Sequence, residues 1–203
     1  MKKVFIRYVL VVCIVLMNFT SFGVLAETDQ NMGNFSDVSE NESYFKAVNS
    51  LYEIGIINGD ENGNFNPDKN ISRAETAKII CMLMGVDDEA KNIKYSKFSD
   101  VDTSNWACGY ITKAAELGII NGYGNGKFGP KDQVTYAQLI KMVVCAWGYK
   151  SDAEDRGGWP DGYIAVAKDS AYLEGVSFNS KDPALRHVVA TIIYNTLRSD
   201  LDE

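Results

Sequence analysis

Between Trp106 and Leu117, apolar side chains recur at Ala107, Tyr110, Ile111, Ala114 and Leu117. That three-and-four spacing puts them on one face of a helix. Gly118 follows as a helix stop, and the stretch NGYGNGKFGPKDQ reads as a turn-rich loop. A second periodic stretch begins at Val134 and continues through Ala137, Ile140, Val144 and Trp147. Earlier in the chain, Ile71, Ala74, Ala77, Cys81 and Met84 draw the same stripe. Each of these second stretches opens on a capping-box pattern, Ser72 with Glu75 and Thr135 with Gln138. In that pattern a hydroxyl caps a free amide while the side chain three residues on reaches back. The predicted unit is helix, Gly-rich loop, helix, and the fold class is all-α.

The unit repeats. A shift of 63 residues lays FSDV (Phe35 to Val38) on FSDV (Phe98 to Val101), and GIING (Gly55 to Gly59) on GIING (Gly118 to Gly122). The same shift lays NGNFNP on NGKFGP. A third, eroded copy starts at Trp159, where Tyr163, Ile164 and Ala167 match Tyr110, Ile111 and Ala114. Beyond its shorter loop, Phe178 matches Phe128 and Asp182 matches Asp132. The copies span residues 35–97, 98–158 and 159–203, the second including a polar connector from Tyr149 to Gly158. One helical hairpin cannot bury its apolar face alone, so the three must pack together.

The N-terminus sets the compartment. Lys2, Lys3 and Arg7 precede the apolar run Tyr8 to Met17, and Val24 and Ala26 fit the small positions before a cleavage point. Residues 1–26 read as a secretory signal peptide, and 27–34 as a short polar leader to the first copy. The run is too short for a membrane span, so no membrane association is expected after cleavage. The removed segment holds three basic and no acidic residues, which takes the net charge from −7 to −10. Such a chain is a poor nucleic-acid binder. Cys81, Cys108 and Cys145 remain, an odd number within apolar stretches, and read as small buried hydrophobes.

The order of blocks F-x-D-V, helix, G-I-I-N-G-x-x-x-G-x-F-x-P and I-S-R-A-E resembles the S-layer homology repeat. The resemblance covers Phe35 to about Leu197. It implies three repeats packed as a pseudo-threefold bundle in the cell envelope, without catalytic activity or cofactor. It also implies a partner, secondary cell-wall polysaccharide attached to peptidoglycan and often pyruvylated, held noncovalently in grooves between repeats. Carried over position by position, Arg73 and Arg186 take the ligand-facing cationic place, while Tyr136 stands there in the second copy. Arg73 lies beside a helix N-terminus, so free amides and a cation are expected to act together on a carboxylate. Trp106 takes the family's tryptophan position, either stacking on a sugar or packing where repeats meet. Asp37 and Asp100 are candidates to brace the repeat or touch ligand, and Gly59 and Gly122 to shape the turn or let backbone approach ligand. Ser72, Glu75, Thr135 and Gln138 are assigned to capping. The altered second and third motifs predict fewer than three competent grooves. An envelope subunit that has lost sugar binding is the alternative. The end of the chain soon after the third hairpin predicts an anchor without a lattice-forming region, with room for a separately encoded envelope partner.

Two other chemistries compete. Asn58, Asp60, Asn62 and Gly63 follow the order of a calcium loop, but Lys69 stands where a bidentate Glu is needed, so no metal site is expected. His187, the one histidine, has no nucleophile at motif spacing and reads as a packing or surface residue.

Overall fold

The computed structural model describes residues 35–199; the signal-peptide segment 1–26, the leader 27–34 and residues 200–203 lie outside the described residues. Among those described there are eight helices. They are α1 (Phe45–Glu53), α2 (Arg73–Leu83), α3 (Asp87–Asn92), α4 (Cys108–Glu116), α5 (Tyr136–Ala146), α6 (Lys150–Asp155), α7 (Asp161–Asp169) and α8 (Arg186–Ser199). Regular strands are absent from these residues, and the all-α reading holds.

Three helix–loop–helix units follow one another: α1–α2, α4–α5 and α7–α8. The main packing runs between units. The first helix of one lies on the second helix of the unit before it, α4 on α2 and α7 on α5. The last pair closes the series, because α1 packs on α8. The apolar stripes read from the sequence line this core. Ile71, Ala74, Ala77 and Cys81 are buried, as are Val134, Ala137, Ile140 and Val144. Leu117 departs from its stripe and is 36% exposed. The helix ends there, Gly118 turns the chain at φ +72°, and Ile119 and Ile120 enter the core in its place.

At the centre, the residues before the three second helices bond to one another. Ile71 N donates to Ala184 O (3.0 Å), Ala184 N to Val134 O (2.8 Å), and Val134 N to Ile71 O (3.1 Å). The three bonds form a closed ring, one from each unit to another. Isolated bridges Asn70–Leu185, Ser72–Gln133 and Thr135–Pro183 flank it. All three residues of the ring are buried, so each polar group is satisfied where water cannot serve.

The connectors are helical, which their sequence conceals. Helices α3 and α6 are six residues long and bury one side chain each, Ala90 and Ala153, so no apolar stripe announces them. Their ends press closely on the next helix: a Cβ on Gly109 would lie 1.9 Å from Ala90 O, and one on Gly162 would lie 2.0 Å from Ala153 O. Glycine to alanine inside a helix ordinarily stabilises by about 1 kcal/mol. Here the sign should reverse. Gly162→Ala is expected to destabilise by roughly 1–3 kcal/mol, the cost of overpacking, in urea unfolding followed by circular dichroism.

Candidate functional site

Each glycine-rich loop is fixed from below by an aspartate. Asp37 accepts from the amides of Phe65 and Asn66, both at 2.7 Å, and Asp100 from those of Phe128 and Gly129, both at 2.8 Å. Both candidate aspartates thus brace loops with both carboxylate oxygens. For Asp100, burial pushes the carboxyl up, but the two amides and nearby Lys127 outweigh it and hold the group below its ordinary value. Gly59 and Gly122 are required by close approach. A Cβ on either would meet the ring of Phe35 or Phe98 at 2.7 Å, and at Gly122 also Lys127 O at 2.4 Å. Phe65 and Phe128 are fully inside, and their carbonyls are left to receive the arginines.

The capping boxes form as read. Glu75 N donates to Ser72 Oγ and Ser72 N to Glu75 Oε2; Gln138 N donates to Thr135 Oγ1 and Thr135 N to Gln138 Oε1. The remaining first-turn amides are not free, which corrects the expectation that they would meet a ligand with Arg73. Arg73 N and Ala74 N donate to Asp132 O and Pro130 O, carbonyls of the next unit's loop. Tyr136 N and Ala137 N reach Asp182 O and Ser180 O, and Arg186 N and His187 N reach Lys69 O and Pro67 O. The first two amides of each second helix are thus spent on holding units together.

Those side chains cross the same joints. Arg73 is 6% exposed. Its Nε donates to Phe128 O (2.9 Å), one terminal nitrogen to Asn121 O (3.1 Å) and the other to Gln138 Oε1 (3.2 Å). The guanidinium lies 4.5 Å from the Phe128 ring centroid and 4.8 Å from that of Tyr123. Arg186 repeats this at the joint between third and first units. It donates to Phe65 O (2.8 Å) and Asn58 O (3.2 Å) and lies 4.8 Å from the Phe65 ring, with Glu75 Oε1 at 3.9 Å. Burial pulls both arginines below their usual range, while neighbouring acids act the other way: Asp132 and Asp100 at Arg73, Glu75, Asp37 and Asp60 at Arg186. At the joint between second and third units, Tyr136 packs on Phe178 at 5.2 Å, and its hydroxyl accepts from Leu185 N.

Two open cavities are lined by these arginines. The one at Arg73, about 230 Å³, adds Asn121, Tyr123, Gln138, Lys141 and Trp159. The one at Arg186, about 300 Å³, adds Asn58, Phe65, Glu75, Lys78 and Trp106. Each therefore draws a cation from one unit, a loop and second helix from the next, and a tryptophan from the one after. Trp106 and Trp159 are 59% and 49% exposed, with faces available to a ligand. The sequence reading grouped Arg73, Arg186 and Trp106; the structure pairs Trp106 with Arg186 and gives Arg73 a different partner, Trp159. It also missed Lys78 and Lys141. Trp159 was findable, because it opens the third copy at the place where Trp106 opens the second. At the Tyr136 joint the corresponding positions are Val188, Thr191 and Ser43.

The remaining candidates have structural roles. Asp60 caps its own loop, accepting from Asn62 N, Asn64 N and Asn66 Nδ2. His187 stacks on Tyr44 at 4.6 Å and contacts Pro67 O. All three cysteines of the described residues are free; Cys81 and Cys108 are buried, and burial pushes the Cys81 thiol up to about 12. Among the described residues no group of three or more His, Cys, Asp or Glu could hold a metal, and no helix is long and apolar enough to cross a membrane.

Helical hairpins joined edge to edge, with an inward-facing arginine and an exposed tryptophan at two of the joints, define a helical repeat module. Residues 34–77 and 97–140 match the S-layer homology domain, and the chain belongs to the S-layer homology domain proteins. It is 34% identical over 165 residues to a cell surface protein of Thermoanaerobacter kivui, covering 80% of this chain and 21% of that protein. It is 33% identical over 162 residues to a surface layer protein of Brevibacillus choshinensis, covering 78% and 14%. An exoglucanase of Acetivibrio thermocellus is 36% identical over 116 residues, covering 55% of this chain and 10% of the enzyme. The chain thus spans about a fifth or less of these relatives. It carries a cell-wall-anchoring module and belongs at the cell surface.

The Asp100 brace yields a pH test. A carboxyl held below its unfolded value of 3.8 contributes stability that is complete above that value and is lost as pH falls through the folded one. Asp100→Asn removes one acceptor facing an amide and should cost roughly 1–3 kcal/mol at pH 7. Its stability should also fall less than that of the wild type between pH 5 and 3, in roughly matched urea titrations.

Proposed function

We propose that the chain is a noncatalytic anchor that binds secondary cell-wall polysaccharide, carried on peptidoglycan and bearing pyruvylated sugars, in the grooves at Arg73 and Arg186. The observation that carries this reading is the repeated composition of the two cavities. Each sets a fixed guanidinium beside an exposed indole and a lysine, which suits an acidic group attached to a sugar ring. Three of the five N–H groups of Arg73 hold the scaffold and two remain for a ligand. Asn58 lines one groove and Asn121 and Gly122 the other, while Gly59, Asp37 and Asp100 act through the shape of the loops. The N-terminal 26 residues direct export and are removed. The test is retention by purified peptidoglycan with and without its attached polysaccharide. Retention on the polysaccharide-bearing material alone is expected; equal retention on both, or on neither, favours an envelope subunit without sugar binding.

Long-range attraction cannot drive this contact, because protein and polymer are both acidic. Screening weakens their repulsion while sparing a partly desolvated arginine–carboxylate pair. Moderate salt should therefore leave affinity unchanged or raise it slightly. Arg73→Ala should cost about 1.5–3 kcal/mol of binding and more than Arg186→Ala, whose cation already faces Glu75. Urea unfolding of each variant, measured alongside, separates loss of ligand contact from loss of the joint. Titration calorimetry of each variant at two salt concentrations checks both expectations; a steep salt-dependent loss by the wild type would contradict the mechanism.

A further inference from the structure

The two grooves are built alike but charged differently, and the difference falls at one pair of equivalent positions. At the Arg73 groove the lining charges are Arg73 and Lys141, and the position facing the guanidinium is Gln138. At the Arg186 groove they are Arg186, Lys78 and Glu75. Glu75 uses Oε2 for its cap, accepting from Ser72 N and Oγ, and leaves Oε1 facing Arg186 at 3.9 Å. Gln138 caps its own helix and accepts from Arg73 with a neutral amide, so nothing in the lining offsets Arg73 or Lys141. The aspartates nearby do not make the difference, because each arginine feels two of them, Asp132 and Asp100 at Arg73 and Asp37 and Asp60 at Arg186, so Glu75 is the acid that sets the grooves apart.

We infer that the grooves divide the polymer by charge, the Arg73 groove taking a carboxylate-bearing sugar and the Arg186 groove a neutral, hydroxyl-rich one. A carboxylate entering at Arg186 must compete with Glu75 for the same guanidinium and sit beside its charge. A sugar hydroxyl there instead finds both a donor in Arg186 and an acceptor in Glu75 Oε1. At Arg73 an arriving carboxylate displaces no anion and gains two cations. The division deepens the polysaccharide-binding reading and rests on it.

The tryptophans report each groove separately. Indole N–H resonances of ¹⁵N-labelled protein, assigned with Trp106→Phe and Trp159→Phe, are followed during titration with two probes at constant ionic strength. One probe is the methyl glycoside of a pyruvylated amino sugar; the other is the same glycoside without pyruvate. With the acidic probe the Trp159 signal should reach its midpoint at about fivefold lower concentration than that of Trp106, the scale of a half-exposed charge pair. With the neutral probe that order should vanish or invert. Glu75→Gln should bring the Trp106 midpoint for the acidic probe down by about fivefold, and Gln138→Glu should raise the Trp159 midpoint comparably. Both substitutions keep a residue that already caps the equivalent helix, so folding is preserved. Equal midpoints for the acidic probe, swaps without effect, or silence of both indoles would overturn the division. Retention of the wild type on polysaccharide-bearing wall, measured alongside, keeps the two readings apart. Retention with equal midpoints removes the division alone, and loss of retention removes both.

Discussion

The ring of three backbone hydrogen bonds joining Ile71, Val134 and Ala184 fixes where everything else can be. It sets the starting point of every second helix against the loops of its neighbours. Once those starts are fixed, the two amides that follow in each helix fall on the carbonyls of an adjacent loop. A helix leaves its first amides without partners of its own, and here two are satisfied across a joint while, in the first two units, the third is met by the cap. Because the arginines occupy the first helical position, the same geometry carries their side chains over the joint. The placing of the guanidinium is thus a by-product of assembly: it reaches a neighbouring loop because its backbone is already bonded to that loop.

The loops are the second half of the arrangement. A flexible loop could not hold a carbonyl steady for a buried guanidinium, and an unpaired buried cation would be costly. Asp37 and Asp100 remove that freedom, each clamping two consecutive amides. Phe35 and Phe98 seal the loops from the other side against glycines that admit no side chain. The F-x-D-V block far upstream in sequence is therefore part of the loop it stabilises.

Much of this was legible beforehand. Periodicity located α2, α4 and α5, the capping boxes placed two helix starts, and self-comparison exposed the units. The short helices α3 and α6 were hidden because a helix that buries one alanine leaves no stripe to read. The site was legible in its types more than in its groupings. Arg73 and Arg186 were found from motif position, but pattern matching along one chain cannot say that a cation from one unit meets a tryptophan two units on. That pairing comes from the order in which units close around the ring. The helix-terminus expectation failed for a related reason: a local reading sees free amides, and only the assembled neighbours show that they are taken.

Closure of α1 on α8 gives the third unit a structural purpose. An open row of two hairpins would leave an apolar face bare at each end, whereas a closed set of three has no ends. The unit from α7 to α8 fastens the circle with Tyr136 and Phe178 at one joint, yet lends Trp159 to one cavity and Arg186 to the other. It acts as a keystone, a member whose removal lets both neighbours fall open. Erosion of its motif is tolerable in such a part, because the shape of the arch survives in its core residues and in the two side chains it contributes to its neighbours.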